Sequence, residues 1–178
     1  MGLFYEFELH LSTRKPIDWS NPEGAREHIH SLAIVNVEGN WLSGRLPPEL
    51  GKLSELDRLS LTSNNFTGEL PQTFANFTEL WTLRLGDNQF RGKIPSFIQN
   101  LTSLRVLIIQ GSGLQGPIPS GIAVLERLTY LRISDLNGPE SPVPKLRCRN
   151  IVTLILRSCN LMGELPAYLA QMTNLKIL

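Results

Sequence analysis

Apolar residues in this chain recur at a fixed interval. From Leu56 to Glu79 the order LDRLSLTSNNFTGELPQTFANFTE follows the spacing L-x-x-L-x-L-x-x-N-x-F-x-G-x-L-P-x-x-F-x-x-F, and the spacing returns every twenty-four residues. Within the unit, Leu59 and Leu61 alternate with polar neighbours, which predicts a short strand with one apolar side. Asn64 stands where that strand ends, placed to turn inward and satisfy backbone groups that the turn leaves open. Gly68 and Pro71 read as punctuation of the return path, with Phe74 and Phe77 as its apolar side. A period of this length marks an architecture of stacked units that bury their apolar faces against one another.

Units begin at Leu32, Leu56, Leu80, Leu104, Leu128 and Ile151, with a truncated seventh at Leu175; the step from 128 to 151 alone is twenty-three residues. A Gly-x-hydrophobic-Pro element keeps register with them as GRLP at 44–47, GELP at 68–71, GKIP at 92–95, GPIP at 116–119 and GELP at 163–166. Five matches in register are a specific signal, where one short motif would be weak. Residues 1–31 fit poorly. There Tyr5, Phe7, Leu9 and Leu11 alternate with Glu6, Glu8 and His10, as a degenerate first repeat that caps the stack or as a leader. The expected division is therefore an N-terminal segment, 1–31, and a repeat domain, 32–178.

This spacing is that of the leucine-rich repeat, and its Gly-x-Ile-Pro extension resembles the plant-specific class. The segments LTSNNFTGELP, GDNQFRGKIPSFIQN, IQGSGLQGPIPSGI, LRISDLNGPE and LILRSCNLMGELPAYLAQM resemble the ectodomain of plant leucine-rich-repeat receptor-like serine/threonine kinases, in the subfamily with a malectin-like domain. The resemblance covers about 32–178. It implies an α/β-type repeat solenoid, a right-handed superhelix with a parallel concave β-sheet and little regular helix. It also implies a binding module on the extracellular side of the plasma membrane, whose partner is a peptide or protein ligand or a co-receptor ectodomain. Members of that family usually start with a secretion signal and a cysteine-bearing cap, and continue into malectin-like, transmembrane and kinase regions. None of these is visible here, so the expectation is a truncated piece of such a receptor. The alternatives are a secreted inhibitor of microbial wall-degrading enzymes, or a kinase-less fragment without independent function.

Composition narrows the partners. Seventeen basic against sixteen acidic residues leave a net charge of +1, which provides no footprint for nucleic acid or for an anionic membrane. No apolar run reaches the roughly twenty residues of a membrane helix. Glu6 and Glu8 interrupt any signal-peptide core, and Glu6 also spoils a myristoylation signal at Gly2. No catalytic constellation, phosphate loop or kinase motif is present, so neither enzymatic activity nor a cofactor is expected. His10, His28 and His30 lack a paired nucleophile, and His28 with His30 lacks the further ligands a metal needs.

Binding residues are sought instead at the outward places of each predicted strand. One column reads Ile34, Arg58, Thr82, Val106, Tyr130, Thr153; its neighbour reads Asn36, Ser60, Arg84, Ile108, Arg132, Ile155. Trp81, Asp87, Arg105, Asp135 and Arg157 stand beside them. Exposed aromatics and arginines in one concavity are the residue types of interface hot spots, the arginines gripping carboxylates. The candidate face therefore comprises Arg58, Trp81, Arg84, Asp87, Arg105, Tyr130, Arg132 and Arg157; the plainer alternative is a solvated face whose arginine stems cover apolar neighbours.

The inward ninth place reads Asn40, Asn64, Asn88, then Ser112, Leu136 and Cys159, an asparagine ladder in the first half that erodes in the second. Cys148 and Cys159 are expected to be free thiols, Cys159 serving as packing. The fifth repeat replaces its Gly-x-Ile-Pro element by NGPESPVP, 137–144, which predicts a rigid, non-standard loop. Sequons at Asn65, Asn76 and Asn100 would carry glycans in a secreted protein, the last two at the same repeat place. The terminal LKIL is expected to leave a strand edge open and to favour association.

Overall fold

The computed structural model describes residues 34–178. The segment 1–31 and its three histidines lie outside the described residues. In chain order the strands are β1 (Ile34–Asn36), β2 (Ser43–Arg45), β3 (Arg58–Ser60), β4 (Asn65–Gly68), β5 (Thr82–Arg84), β6 (Gln89–Phe90), β7 (Val106–Gln110), β8 (Tyr130–Ser134), β9 (Ser141–Pro142), β10 (Thr153–Arg157) and β11 (Leu161–Met162). One strand from each unit joins a six-stranded parallel sheet in the order β1-β3-β5-β7-β8-β10. The described chain folds as a leucine-rich-repeat solenoid. Among the described residues the only helices are short 3-10 turns, at Pro48–Lys52, Gln72–Asn76, Ser96–Asn100, Ser120–Val124 and Ala167–Gln171.

The prolines of the Gly-x-hydrophobic-Pro elements explain where those turns begin. Pro47, Pro71, Pro95, Pro119 and Pro166 each sit just before a turn with φ between −59° and −70°. The pyrrolidine ring fixes φ in this range, and its missing N–H costs nothing at a helix start. Leucines at the start of each unit and in its strand meet inside: Leu56, Leu59, Leu80, Leu104, Leu107, Leu128, Leu131 and Ile151 are fully buried. Phe74 and Phe77 pack with their rings tilted by 39° at 4.8 Å between centroids, and Phe66 stacks on Phe90 at 6.3 Å.

Two features go beyond the sequence pattern. The return path begins with a second parallel ladder, β2-β4-β6, continued by β9-β11 and by single bridges at Lys93, Gln115 and Asn137. Gly68, read from sequence as turn punctuation, is the last residue of β4, with Phe66 pointing inward between half-exposed Asn65 and Thr67. Likewise part of the NGPESPVP loop is strand, because Ser141 and Pro142 pair with Leu161 and Met162. The fifth repeat has no 3-10 turn, and the Tyr168 hydroxyl donates to the Pro144 carbonyl across the gap.

The asparagine side chains sew neighbouring units together. Asn64 Nδ2 donates to the Val37 carbonyl of the preceding unit (2.8 Å) and to its own Leu61 carbonyl (3.1 Å), while Asn64 Oδ1 accepts from Leu42 N–H (3.0 Å). Asn88 repeats the pattern with Leu61 (2.9 Å), Leu85 (3.2 Å) and Phe66 N–H (3.1 Å). Strand length follows this residue. Units with asparagine at the ninth place have three-residue strands on the main sheet, and those with Ser112, Leu136 or Cys159 have five. The physical reason is competition: the amide takes the carbonyl at the strand end that the next backbone N–H would otherwise use. Cys159 keeps part of the role, its single S–H shared between the Ile133 and Arg157 carbonyls at 3.4 and 3.2 Å, which is more than packing.

Candidate ligand-binding face

Parallel pairing carries the two outward columns across the sheet without a slip. Ile34 faces Arg58, then Thr82, Val106, Tyr130 and Thr153; Asn36 faces Ser60, then Arg84, Ile108, Arg132 and Ile155. A bridge from Thr153 to Ile177 extends the first column into the seventh unit. Strands in a sheet lie about 4.8 Å apart, so Arg84 and Arg132 stand about 10 Å from each other with half-buried Ile108 between them. This alternation of guanidinium and aliphatic side chain is the chemical signature of the face.

The charges on it are partly engaged. Arg84 reaches over the second unit to Glu38 at 3.6 Å, and Arg157 meets Asp135 at 3.6 Å. Asp135 Oδ2 also accepts from the Ser134 hydroxyl at 2.6 Å. Both ion pairs are open to solvent, where such pairs contribute little to stability and yield readily to a ligand. Arg58 and Arg132 have no ion pair among the described residues. The Nε atoms of Arg84 and Arg132 are buried without a hydrogen-bond partner. Unmet donors in a partly desolvated face favour an incoming acceptor.

Trp81 and Arg105 form a separate feature at the rim, one residue ahead of β5 and β7. The Arg105 guanidinium lies 4.6 Å above the indole, and Trp81 remains 44% exposed. The stacking holds both side chains in place and leaves an aromatic surface toward solvent. Asp87 falls apart from this group. It occupies a left-handed turn position with φ +49°, equivalent to Gly39, Ser63, Gly111, Asp135 and Ser158, all with positive φ. Asp is one of the few residues that enters that region at small cost, so the backbone alone accounts for its presence.

Asn76 and Asn100 end consecutive 3-10 turns on the opposite flank, both exposed, with Asn76 Nδ2 donating to the Gly51 carbonyl at 3.4 Å. Cys148 and Cys159 are buried and free. Burial pushes the Cys159 thiol up to about 11, a backbone hydrogen bond from Leu136 opposing and the nearby Asp135 charge adding; burial raises Cys148 as well. Neither is a reactive nucleophile.

Sequence reasoning missed three features. Repeat spacing does not pair Glu38 with Arg84, since the two are separated by almost two units. Trp41, 89% exposed, stands at a place where later units carry Asn65 and Gln89; comparison down that column was the available signal. A groove of about 1000 Å³ opens where the fifth repeat lacks its turn, lined by Glu126, Arg147, Arg149, Tyr168 and Asn174 among others. Nothing in the residue types alone foretells that opening.

The first three units match the family model described as leucine rich repeat, at residues 31–53, 55–77 and 79–101. No curated protein sequence matches the chain significantly. Among solved structures, the chain is similar to the ectodomain of the Arabidopsis thaliana membrane receptor kinase GASSHO1/SCHENGEN3 in complex with Casparian strip integrity factor 2: TM-score 0.77, 30% identity, over 85% of this chain and 19% of that one. It is similar to the Arabidopsis receptor kinase HAESA ectodomain in complex with an N-terminally extended IDA peptide hormone, with TM-score 0.76 and 28% identity over 83% of this chain and 25% of that one. A third likeness is to a chain of the Arabidopsis thaliana BIR3–SERK2 complex, with TM-score 0.57 and 32% identity over 61% and 59% of the two chains. The chain thus spans about a fifth to a quarter of the length of the first two ectodomains. The structures it matches are ectodomains, binding modules rather than catalytic domains.

Proposed function

We propose that this chain is part of the extracellular sensing domain of a plant receptor-like Ser/Thr kinase and binds a peptide or protein segment, or a co-receptor ectodomain, on its concave face. The observation that carries this reading is the likeness to two receptor-kinase ectodomains solved with bound peptide or protein ligands. The geometry supports it independently. Arg58, Arg84 and Arg132 offer charge-assisted hydrogen bonds to carboxylates, Ile108 and Ile155 offer apolar contact between them, and Tyr130 and the Trp81–Arg105 stack offer rigid amphipathic surface. The kinase activity belongs to the parent, as does membrane anchoring. The malectin-like subfamily is suggested by the segment SDLNGPE, 134–140, which generic repeats do not require.

The test is a titration of the full chain against a panel of synthetic peptides with free C-terminal carboxylates, read by fluorescence polarisation. Arg84→Ala combined with Arg132→Ala is expected to weaken the best binder at least about a hundredfold, since each lost charged hydrogen bond is worth about 1.5–3 kcal/mol. Unchanged affinity in that double variant would move the site off the concave face.

A further inference from the structure

The Trp41 indole projects into solvent with 89% of its surface exposed, more than any other large apolar residue among those described. Its neighbourhood is fixed. Asn65 N–H donates to the Leu42 carbonyl (2.8 Å), Leu42 N–H donates to Asn64 Oδ1 (3.0 Å), and Ser43 pairs directly with Asn65. Trp41 therefore lies two residues before the partner of Asn65, just ahead of the flank ladder. Both residues line one shallow depression of about 340 Å³, together with Gly39, Asn40, Ser63 and Asp87.

Asn65 opens the sequon Asn65-Phe66-Thr67. Phe66 is buried, so Asn65 and Thr67 both face outward. We propose that Trp41 is the seat of an N-linked glycan on Asn65, the apolar face of the first N-acetylglucosamine lying on the indole. An exposed indole and a sugar attachment point in one depression explain each other. The sugar ring covers apolar surface that otherwise faces water, and the indole N–H stays free for a hydroxyl or for solvent. Asn76 and Asn100 have no aromatic residue in the same position, and Asn76 spends its amide on Gly51. This proposal rests on the extracellular reading above, because only a secreted chain meets the glycosylation machinery.

The experiment uses the full chain secreted from a eukaryotic host, with site occupancy read by glycopeptide mass spectrometry. The expected result is an occupied Asn65, a blue-shifted tryptophan emission that moves red after enzymatic removal of the glycan, and a Tm lower by about 2–4 °C once it is removed. Trp41→Ala should abolish both changes while leaving Asn65 occupied; Asn65→Gln should mimic removal in the parent and do nothing further in Trp41→Ala. Occupied Asn65 with equal responses in parent and Trp41→Ala overturns the seat alone. Occupied Asn76 and Asn100 beside a bare Asn65 also overturns it and leaves the extracellular reading standing. All three sequons bare after passage through the secretory pathway overturns both.

Discussion

Replacing Asn88 by alanine tests the hydrogen-bond accounting that holds the units together. The amide gives up one accepted bond, from Phe66 N–H, and donated bonds to the carbonyls of Leu61, Leu85 and Gly86. Not all of these are equal losses. The Leu61 carbonyl keeps Asn64 Nδ2 and the Gly86 carbonyl keeps Ser63 N–H, whereas Phe66 N–H and the Leu85 carbonyl lose the partner the side chain provided. A buried group left unpaired costs about 1–3 kcal/mol, and partial burial keeps the pair toward the lower end, about 2–4 kcal/mol together. Asn64→Ala strands only Leu42 N–H, since Val37 keeps Asn40 and Thr62 keeps Gly39 N–H. Its cost is therefore about 1–3 kcal/mol, even though Asn64 is the more buried residue. Exposed Asn40 should cost less than about 1 kcal/mol, because its donated bonds go to the Val37 carbonyl, which is shared, and to the half-buried Glu38 through a bond open to solvent. Urea unfolding followed by far-ultraviolet circular dichroism gives the three values. The order Asn88, Asn64, Asn40 supports the accounting; an Asn64→Ala variant weaker than Asn88→Ala would show that burial, and not stranded partners, sets the cost.

Other expectations follow from single sites. Cys159 stays protonated in the fold up to about 11, whereas an unfolded thiol ionises near 8.5, so the stability it contributes is full below about pH 8.5 and is lost as pH rises toward 11. Urea midpoints at pH 8 and 10.5 should therefore fall less in Cys159→Ser than in the parent, and neither thiol should react with a disulfide reagent at pH 8 until urea is added. Gly113→Ala would put a methyl 2.4 Å from the Phe90 carbonyl oxygen at φ +87°, whereas Gly163→Ala at φ +91° meets open space. The first should cost about 2–5 kcal/mol and the second about 1–2 kcal/mol by thermal melting; equal values would mean that backbone conformation alone matters at Gly113.

The period was legible because each apolar place has one structural task. Leu59 and Leu61 must face inward at every turn of the chain, so the residue type repeats, and the register of Arg58 with Thr82 and Tyr130 follows from counting. The flank ladder was not legible, because β4 carries one buried residue, Phe66, between Asn65 and Thr67 and ends in a glycine. So short a strand has too little alternation to announce itself beside turn-forming residues. Arg84 illustrates a different limit: its column is set by sequence spacing, but its contact with Glu38 depends on how far a flexible stem reaches across Ser60 and Thr62. The same holds for Arg105 over Trp81, since adjacent places in the repeat allow the stack without requiring it.

Strand length on the main sheet changes from three residues to five as the asparagines give way, and the five-residue pairing runs from β7 to β10. At about 3.3 Å per residue, two more residues lengthen the uninterrupted backbone ladder by nearly 7 Å. In the first three units asparagine amides share in closing the strand ends, and from β7 onward the backbone closes them without an asparagine. A segment laid along the face and the same segment laid in reverse would therefore meet a differently built floor beneath corresponding side chains, so the backbone itself distinguishes the two polarities before any side-chain chemistry is consulted.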